Sequence, residues 1–319
     1  MTPTEYIQKE LNKIKIFQPK NFDKEKIFDE IFRLLMSKKF RKYSAKPELI
    51  EHIKNAIKIS IDNNQPIKLV FPHGAYKLWR LEEAPNPDWA ELFTAIYYTK
   101  WLKPICEIYQ PGIVFEYFVD DYILPIIDNI PLKTVDIYIN EYQKVLNFIK
   151  DYQPINLKMI ITRFGDIYGS LEKFEKDLQK SVEKLSSTNP VFTKENLKTT
   201  KLNACPTIEQ IKDPKWCEKI LLIHDAYMII KKELSYTFNP EKVPVFCQSL
   251  PSGKYLIVGT TKTSIAKFWV GVGALKKRGD EFIEYILSPN QLETQKTTKE
   301  KISIKGLDSK NFSSIRIIS

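Results

Sequence analysis

Apolar residues recur first at helical spacing and then in short unbroken runs, and the alternation of these two patterns sets out the fold. From the N-terminus to about residue 45 the pattern is amphipathic and helical, with Ile27, Ile31, Leu34 and Leu35 on one stripe. Residues 47–61 predict a second helix, carrying Ile50, Ile53, Ile57 and Ile61 at the same spacing. A turn over 62–65 ends it, and 67–71 is a β-branched and aromatic run suited to a buried strand. Asp88 and Glu91 have capping-box spacing and open a helix to about Tyr109, with Leu92, Phe93, Ile96 and Ile105 turned inward. The Pro111-Gly112 turn then leads to a strand at 113–118, a helix at 134–149 and a strand at 157–162. Strand, helix, strand, helix, strand at these spacings implies parallel βαβ units.

Beyond this core the pattern changes. Residues 171–215 read as a polar stretch with one or two helices, followed by a long helix at 216–234. On that helix His224 shares a face with Ile220, Tyr227 and Met228 and reads as a core histidine. Short runs at 243–246, 254–258, 267–274 and 281–287 predict an antiparallel sheet or an extension of the first. From about residue 293 the chain is rich in Lys, Thr and Ser and reads as a partly disordered tail. The expected fold class is therefore α/β: a Rossmann-like core with a mainly parallel sheet, a helical N-terminal region and a C-terminal antiparallel strand extension. The expected units are an N-terminal helical region at 1–62, a catalytic or binding domain at 63–292 and a polar tail at 293–319.

With 319 residues, 43% hydrophobic and 12% aromatic, the chain can bury one large core or two ordinary ones. A net charge of +10 raises the question of nucleic acid. Only six of the 49 basic residues are Arg (33, 41, 80, 163, 278 and 316), and the lysines are spread over every segment. One stretch, KKFRKYSAK at 38–46, interleaves Phe40 and Tyr43 with basic residues as a stacking platform would. It reads better as the basic end of a helix, so no nucleic-acid partner is expected. The cysteines at 106, 205, 217 and 247 lie far apart with no CxxC pair, which argues against a disulfide framework or a zinc site and for a reducing compartment. The first residues lack the apolar core of a signal peptide, and no apolar run approaches a membrane span. A cytoplasmic protein without membrane contact is expected.

Candidate chemistry collects where the strands end. PIKLVFPHGAYKLWR at 66–80 runs from a buried strand into a loop with His73, Gly74, Lys77, Trp79 and Arg80. Arg80 could grip an anion with its fork or pair with Glu82 or Glu83. Asp120 and Asp121 follow the second strand, and Arg163 and Asp166 follow the third. This arrangement suits a polar ligand with an anionic end. There is no GxGxxG, GxxxxGK[ST] or GxSxG, so no nucleotide cofactor and no hydrolase elbow are indicated, and neither a cofactor nor a metal is expected. GTTKTS at 259–264 lacks the second phosphate-loop glycine and reads as a turn between strands.

Four segments, taken in order, resemble the isocyanide synthases of the pyoverdine/dityrosine biosynthesis family. PIKLVFPHGAYK (66–77) is similar to that family's strand, proline-led loop and lysine, which puts Lys77 on the family lysine. IYQPG (108–112) resembles its Tyr-x-Pro-Gly turn, VDD (119–121) carries its aspartate onto Asp120, and KFWVGVG (267–273) carries its tryptophan onto Trp269. The resemblance implies a Rossmann-like fold and conversion of an amino acid amine to an isonitrile, with ribulose 5-phosphate as carbon donor. It implies that Lys77, Arg80 and Arg163 clamp the phosphate while Asp120 orients or deprotonates the amine, with Trp269 as a further family position; Asp166 is expected to bind substrate from its place at the end of the third strand. It also implies an iron/2-oxoglutarate oxygenase as a pathway partner. The chain departs from the family pattern at Leu78-Trp79-Arg80, at Val270 in place of a histidine, and at Gln248 and Ser249 near a Ser-x-His-Pro segment. Proton transfer would then fall to His73 or Asp121. The departures keep two alternatives open: another phosphosugar or amino-acid metabolite enzyme or a non-catalytic binder on the same fold, and a basic interaction module.

Overall fold

A computed structural model describes the chain from Met1 to Ser319 except residues 189, 195–196, 198–206 and 214. Three helices open it: α1 (Pro3–Lys15), α2 (Ile27–Leu35) and α3 (Pro47–Asp62). Where the apolar pattern predicts one helical stretch to about residue 45, α1 stops early, because Ile16 turns extended and Pro19 follows it. Next come β1 (Ile67–His73), α4 (Trp89–Ile108), β2 (Ile113–Val119), the short α5 (Leu124–Ile127), α6 (Leu132–Lys150) and β3 (Leu157–Arg163). Helices α7 (Phe164–Tyr168), α8 (Leu171–Ser186), α9 (Ile208–Lys212) and α10 (Trp216–Glu233) lead to β4 (Lys242–Phe246) and β5 (Leu256–Ile257). The chain closes with β6 (Val272–Arg278), β7 (Glu281–Leu287), α11 (Pro289–Thr294), β8 (Thr297–Lys301) and β9 (Ser314–Ile318).

Strands β1 to β5 form one sheet in the order β3-β2-β1-β4-β5, with every pair parallel. This is a Rossmann-like α/β arrangement. Strands β1 and β2 are buried almost throughout, as expected of a sheet covered on both faces. Helix α4 begins with the predicted capping box, in which Asp88 accepts from Ala90 N and Glu91 accepts from Asp88 N. It is buried on nearly every side because it lies between the N-terminal helices, α6 and the second sheet. Asn156 ties down the following turn by donating to the carbonyls of Cys106 and Tyr109, while Gly112 takes the left-handed conformation (φ 75°) that a side chain would strain.

The second sheet has the order β7-β6-β9-β8, with an antiparallel β6–β7 hairpin and a parallel β6–β9 pair. Three sequence readings change here. The run predicted as a strand at 267–274 enters β6 only at Val272, and residues 267–271 form a loop instead. The 293–319 segment, read as a partly disordered tail, supplies two strands; β8 is an exposed edge strand, which explains its polar composition. Trp89 on α4 donates to Ser314 O at 2.7 Å, linking this segment to the first sheet's helices. His224 is half exposed beside Asp225, because α10 turns Ala226, Tyr227 and Ile230 inward instead. Cys106, Cys217 and Cys247 are buried and form no disulfide among the described residues, and Cys205 lies outside them. Among the described residues no helix is long and apolar enough to cross a membrane.

Candidate functional site

The strand order makes β1 the first strand and puts β2 and β3 on one side of it and β4 on the other. The crevice between the C-terminal ends of β1 and β4 is thus the topological switch point, where ligands bind in open parallel sheets. On the β1 side it begins with His73 and Gly74, and on the β4 side with Phe246 and Cys247. The loop before β6 folds over it. Trp269 lies on Gly74 so closely that a Cβ there would come within 2.4 Å of the indole nitrogen. Leu78 N donates to Trp269 O at 2.9 Å, and the Trp269 ring meets His73 edge-on at 4.9 Å. Gly74 is needed for this close approach rather than for an unusual φ.

Lys77 points away from solvent and is fully buried. Its ammonium donates to Asp88 Oδ1 at 3.0 Å, to Glu91 Oε2 at 2.9 Å and to Phe268 O at 3.1 Å. Burial alone would lower its pKa, but the two carboxylates outweigh that and raise it, so Lys77 stays charged. Glu91 also accepts from Tyr138 Oη at 2.8 Å; burial pushes it up to about 8, with Lys77 pulling the other way. One cation facing two carboxylates in a dry site explains why one of them holds a proton more readily. Tyr138 Oη lies 3.3 Å from His73 Nε2. Burial, reinforced by the charge of Lys77, drops the His73 pKa to about 3, so the imidazole is neutral.

The remaining predicted residues divide into separate groups. Asp120 accepts from Lys231 Nζ at 2.6 Å and from Tyr227 Oη at 2.6 Å, both on α10. Asp121 accepts from Arg163 Nε at 2.8 Å and from Gly165 N at 3.0 Å, and a second arm of Arg163 reaches Asp136 at 2.8 Å. Arg80 and Asp166 are exposed and, among the described residues, make no ion pair. Glu82 and Glu83, possible partners of Arg80 from the sequence, pair with Arg316 instead. The structure therefore brings His73, Lys77 and Trp269 together, sets Asp121 with Arg163, and keeps Asp120 with α10. Phe40 is buried against Tyr97 at 5.0 Å, and Tyr43 donates to Ser249 O. The 38–46 segment thus lacks the exposed Phe40 face that base stacking requires.

Sequence reasoning missed four groups at the crevice. Lys267 Nζ sits 5.4 Å from the Phe246 ring centre and 5.9 Å from that of Trp269. Its side chain keeps some solvent access, yet the surrounding protein is dense enough for desolvation to lower its pKa, with Cys247 and Asp128 opposing. Asp128, in the segment after β2, accepts a hydrogen bond from Tyr76; burial raises its pKa to about 6 despite Lys267, His224 and Tyr76. Burial also holds the Cys247 thiol neutral by pushing it to about 12, which removes it as a nucleophile at ordinary pH. The strand order that gathers these groups is not written in local sequence. A groove of about 530 Å³ beside α1 and β7 is also charged: Lys100 pairs there with Glu10 and Glu284, while Lys262 and Arg278 line it without an ion pair among the described residues.

No protein-family description matches the chain, and no curated protein does. Among solved structures, the PvcA protein from Pseudomonas aeruginosa is similar, with a TM-score of 0.64 and 15% identity. The match covers 88% of this chain and 97% of that one. At this identity the likeness shows a shared fold that extends over nearly the whole of both molecules.

Proposed function

We propose that this chain is an isocyanide-synthase-like enzyme that joins the amine of an amino acid to a ribulose 5-phosphate-type donor on the way to an isonitrile. The observation that carries this reading is convergence. Of the four segments that resemble the isocyanide synthases, 66–77 and 267–273 touch through Gly74–Trp269 and Lys77–Phe268 at the end of β1. The third, 119–121, ends the adjacent strand β2. These segments are far apart in sequence, and the PvcA-like fold supplies the frame in which they meet.

In the first step the amine nitrogen attacks the ketone carbon, and condensation expels water. Asp120, fixed by Lys231 and Tyr227, orients the amine, and Trp269 walls the crevice. Arg80, exposed and without an ion pair among the described residues, takes the phosphate. Lys77 and Arg163 are each neutralised by two carboxylates and serve as positioning residues. Neutral His73 can accept or donate a proton but does not supply a standing charge. Incubation with ribulose 5-phosphate and single amino acids, followed by mass spectrometry for the isonitrile, tests the reading. Product that disappears with Asp120→Asn supports it; no product with any amino acid defeats it.

A second reading, that the chain binds or transforms a different amino acid or sugar phosphate, is favoured by the burial of Lys77 against Asp88 and Glu91. It predicts saturable ligand binding without isonitrile formation.

A further inference from the structure

Most lysines that the fold covers at least partly carry a carboxylate partner, whereas half-buried Lys267, like Lys42, has none among the described residues. Lys77 is paired with Asp88 and Glu91, Lys231 with Asp120, Lys242 with Glu116 and Lys100 with Glu10. Lys267 has no carboxylate within 4.0 Å and its ammonium makes no hydrogen bond among the described residues. A desolvated cation without a partner is costly, and proteins normally pair it. This one sits at the β1/β4 switch point, over the rings of Phe246 and Trp269. The rings attract a cation through their π-faces but cannot neutralise it, so its strong preference for an anion is left open. We infer that Lys267 receives the anionic group of the ligand, a carboxylate or a phosphate monoester, in the crevice between β1 and β4.

The surroundings fit that role. Asp128 is near enough to oppose the fall in the Lys267 pKa, yet lies beyond ion-pair distance, and Tyr76 holds its carboxyl in place. An anion on Lys267 therefore does not have to displace an internal salt bridge, unlike one at Lys77 or Lys231. Phe246 also meets Tyr255 at 5.5 Å, and burial combined with the charge of Asp120 holds the Tyr255 phenol protonated. The crevice thus offers one cation beside aromatic walls, a composition suited to a small anionic ligand with an apolar or planar part. The inference concerns which side chain binds the anion, and it stands whether or not an isonitrile is made.

The test uses the full chain, with Lys267→Met keeping the length of the side chain while removing its charge. Calorimetric titrations compare L-tyrosine with tyramine and ribulose 5-phosphate with ribulose, pairs that differ in the anion, with inorganic phosphate as a fifth probe. Wild type is expected to prefer the anionic member of at least one pair, and Lys267→Met to bind it at least about tenfold more weakly. Preference within the tyrosine pair identifies a carboxylate, and preference within the ribulose pair or binding of phosphate identifies a phosphate monoester. Because no internal partner is orphaned, the variant should melt at or above the wild-type temperature. Equal affinity in the two proteins overturns the inference, as does a lack of anion preference in wild type or a variant that unfolds several degrees earlier. Isonitrile formation that survives Lys267→Met would leave the proposed reaction intact while removing this role, and charge-dependent binding without product would do the reverse.

Discussion

Lys267, in the loop before β6, and Lys77, which donates to the Phe268 carbonyl of that loop, show how little a residue type says without its surroundings. Lys77 is the one that sequence singles out, and it is enclosed by Asp88, Glu91 and the Phe268 carbonyl. Removing one partner of a buried ion cluster leaves uncompensated charge, so Lys77→Met should cost about 3–5 kcal/mol in urea unfolding. A loss below about 1 kcal/mol would show that the cluster contributes little, since that is the worth of an exposed pair. His73 yields a pH prediction. Its pKa is about 3 in the folded chain against an ordinary 6.5, so the unfolded chain binds the extra proton between these values. Stability should therefore be intact above about pH 6.5 and fall as pH drops, by on the order of 3 kcal/mol at pH 4 from this group. In His73→Phe the decline between pH 7 and 4.5 should be shallower than in wild type, and parallel curves would refute the assignment. Asp128 has the opposite sign: its folded pKa is raised to about 6, so it opposes folding once pH exceeds the unfolded value. Asp128→Asn should stabilise the neutral-pH protein by about 1–2 kcal/mol, with the gain gone near pH 4.

At the scale of elements, much of the parallel core was legible because it obeys local rules. Strands β1, β2 and β3 and the capping box of α4 lie within a residue or two of where the pattern puts them. What the pattern could not reveal depends on distant partners. The polar β8 reads as a tail because an edge strand needs no apolar faces, and β9 gains its place only by pairing between β6 and β8. Residues 267–271 are apolar enough for a strand but leave the sheet to cover Gly74. The site residues follow the same division: strand ends were visible, whereas the β1/β4 crevice required the strand order. The C-terminal segment provides a test of how closely the two sheets depend on each other. Ending the chain at residue 308 removes β9, the Trp89–Ser314 bond, the Asn311 bonds to the 83–87 loop and the pairs of Arg316 with Glu82 and Glu83. All of these groups brace the start of α4, which carries Asp88 and Glu91. The truncated chain should lose cooperative unfolding of the whole molecule by circular dichroism; an unchanged single transition would show that the second sheet is an independent appendage.

At the scale of the whole molecule, the candidate site is a product of chain return. The loop after β1, the segment after β2, the end of β4 and the loop before β6 come from most of the length of the chain. They meet only because β4 crosses to the far side of β1. A ligand seated there should consequently tie together segments that are otherwise joined through the sheet alone. A ligand that binds only the folded state at about 100 times its dissociation constant adds about 2.7 kcal/mol of stability, enough to raise the melting temperature measurably. Hydrogen exchange locates that gain. With ribulose 5-phosphate or an amino acid bound, amides at 73–80, 120–128, 246–248 and 267–271 should slow together, while those in the groove beside α1 and β7 stay unchanged. Coordinated protection of all four segments would fit a single ligand held at the switch point. Slowing limited to the α1–β7 groove would instead move the binding site there, and the β1/β4 crevice would lose its claim.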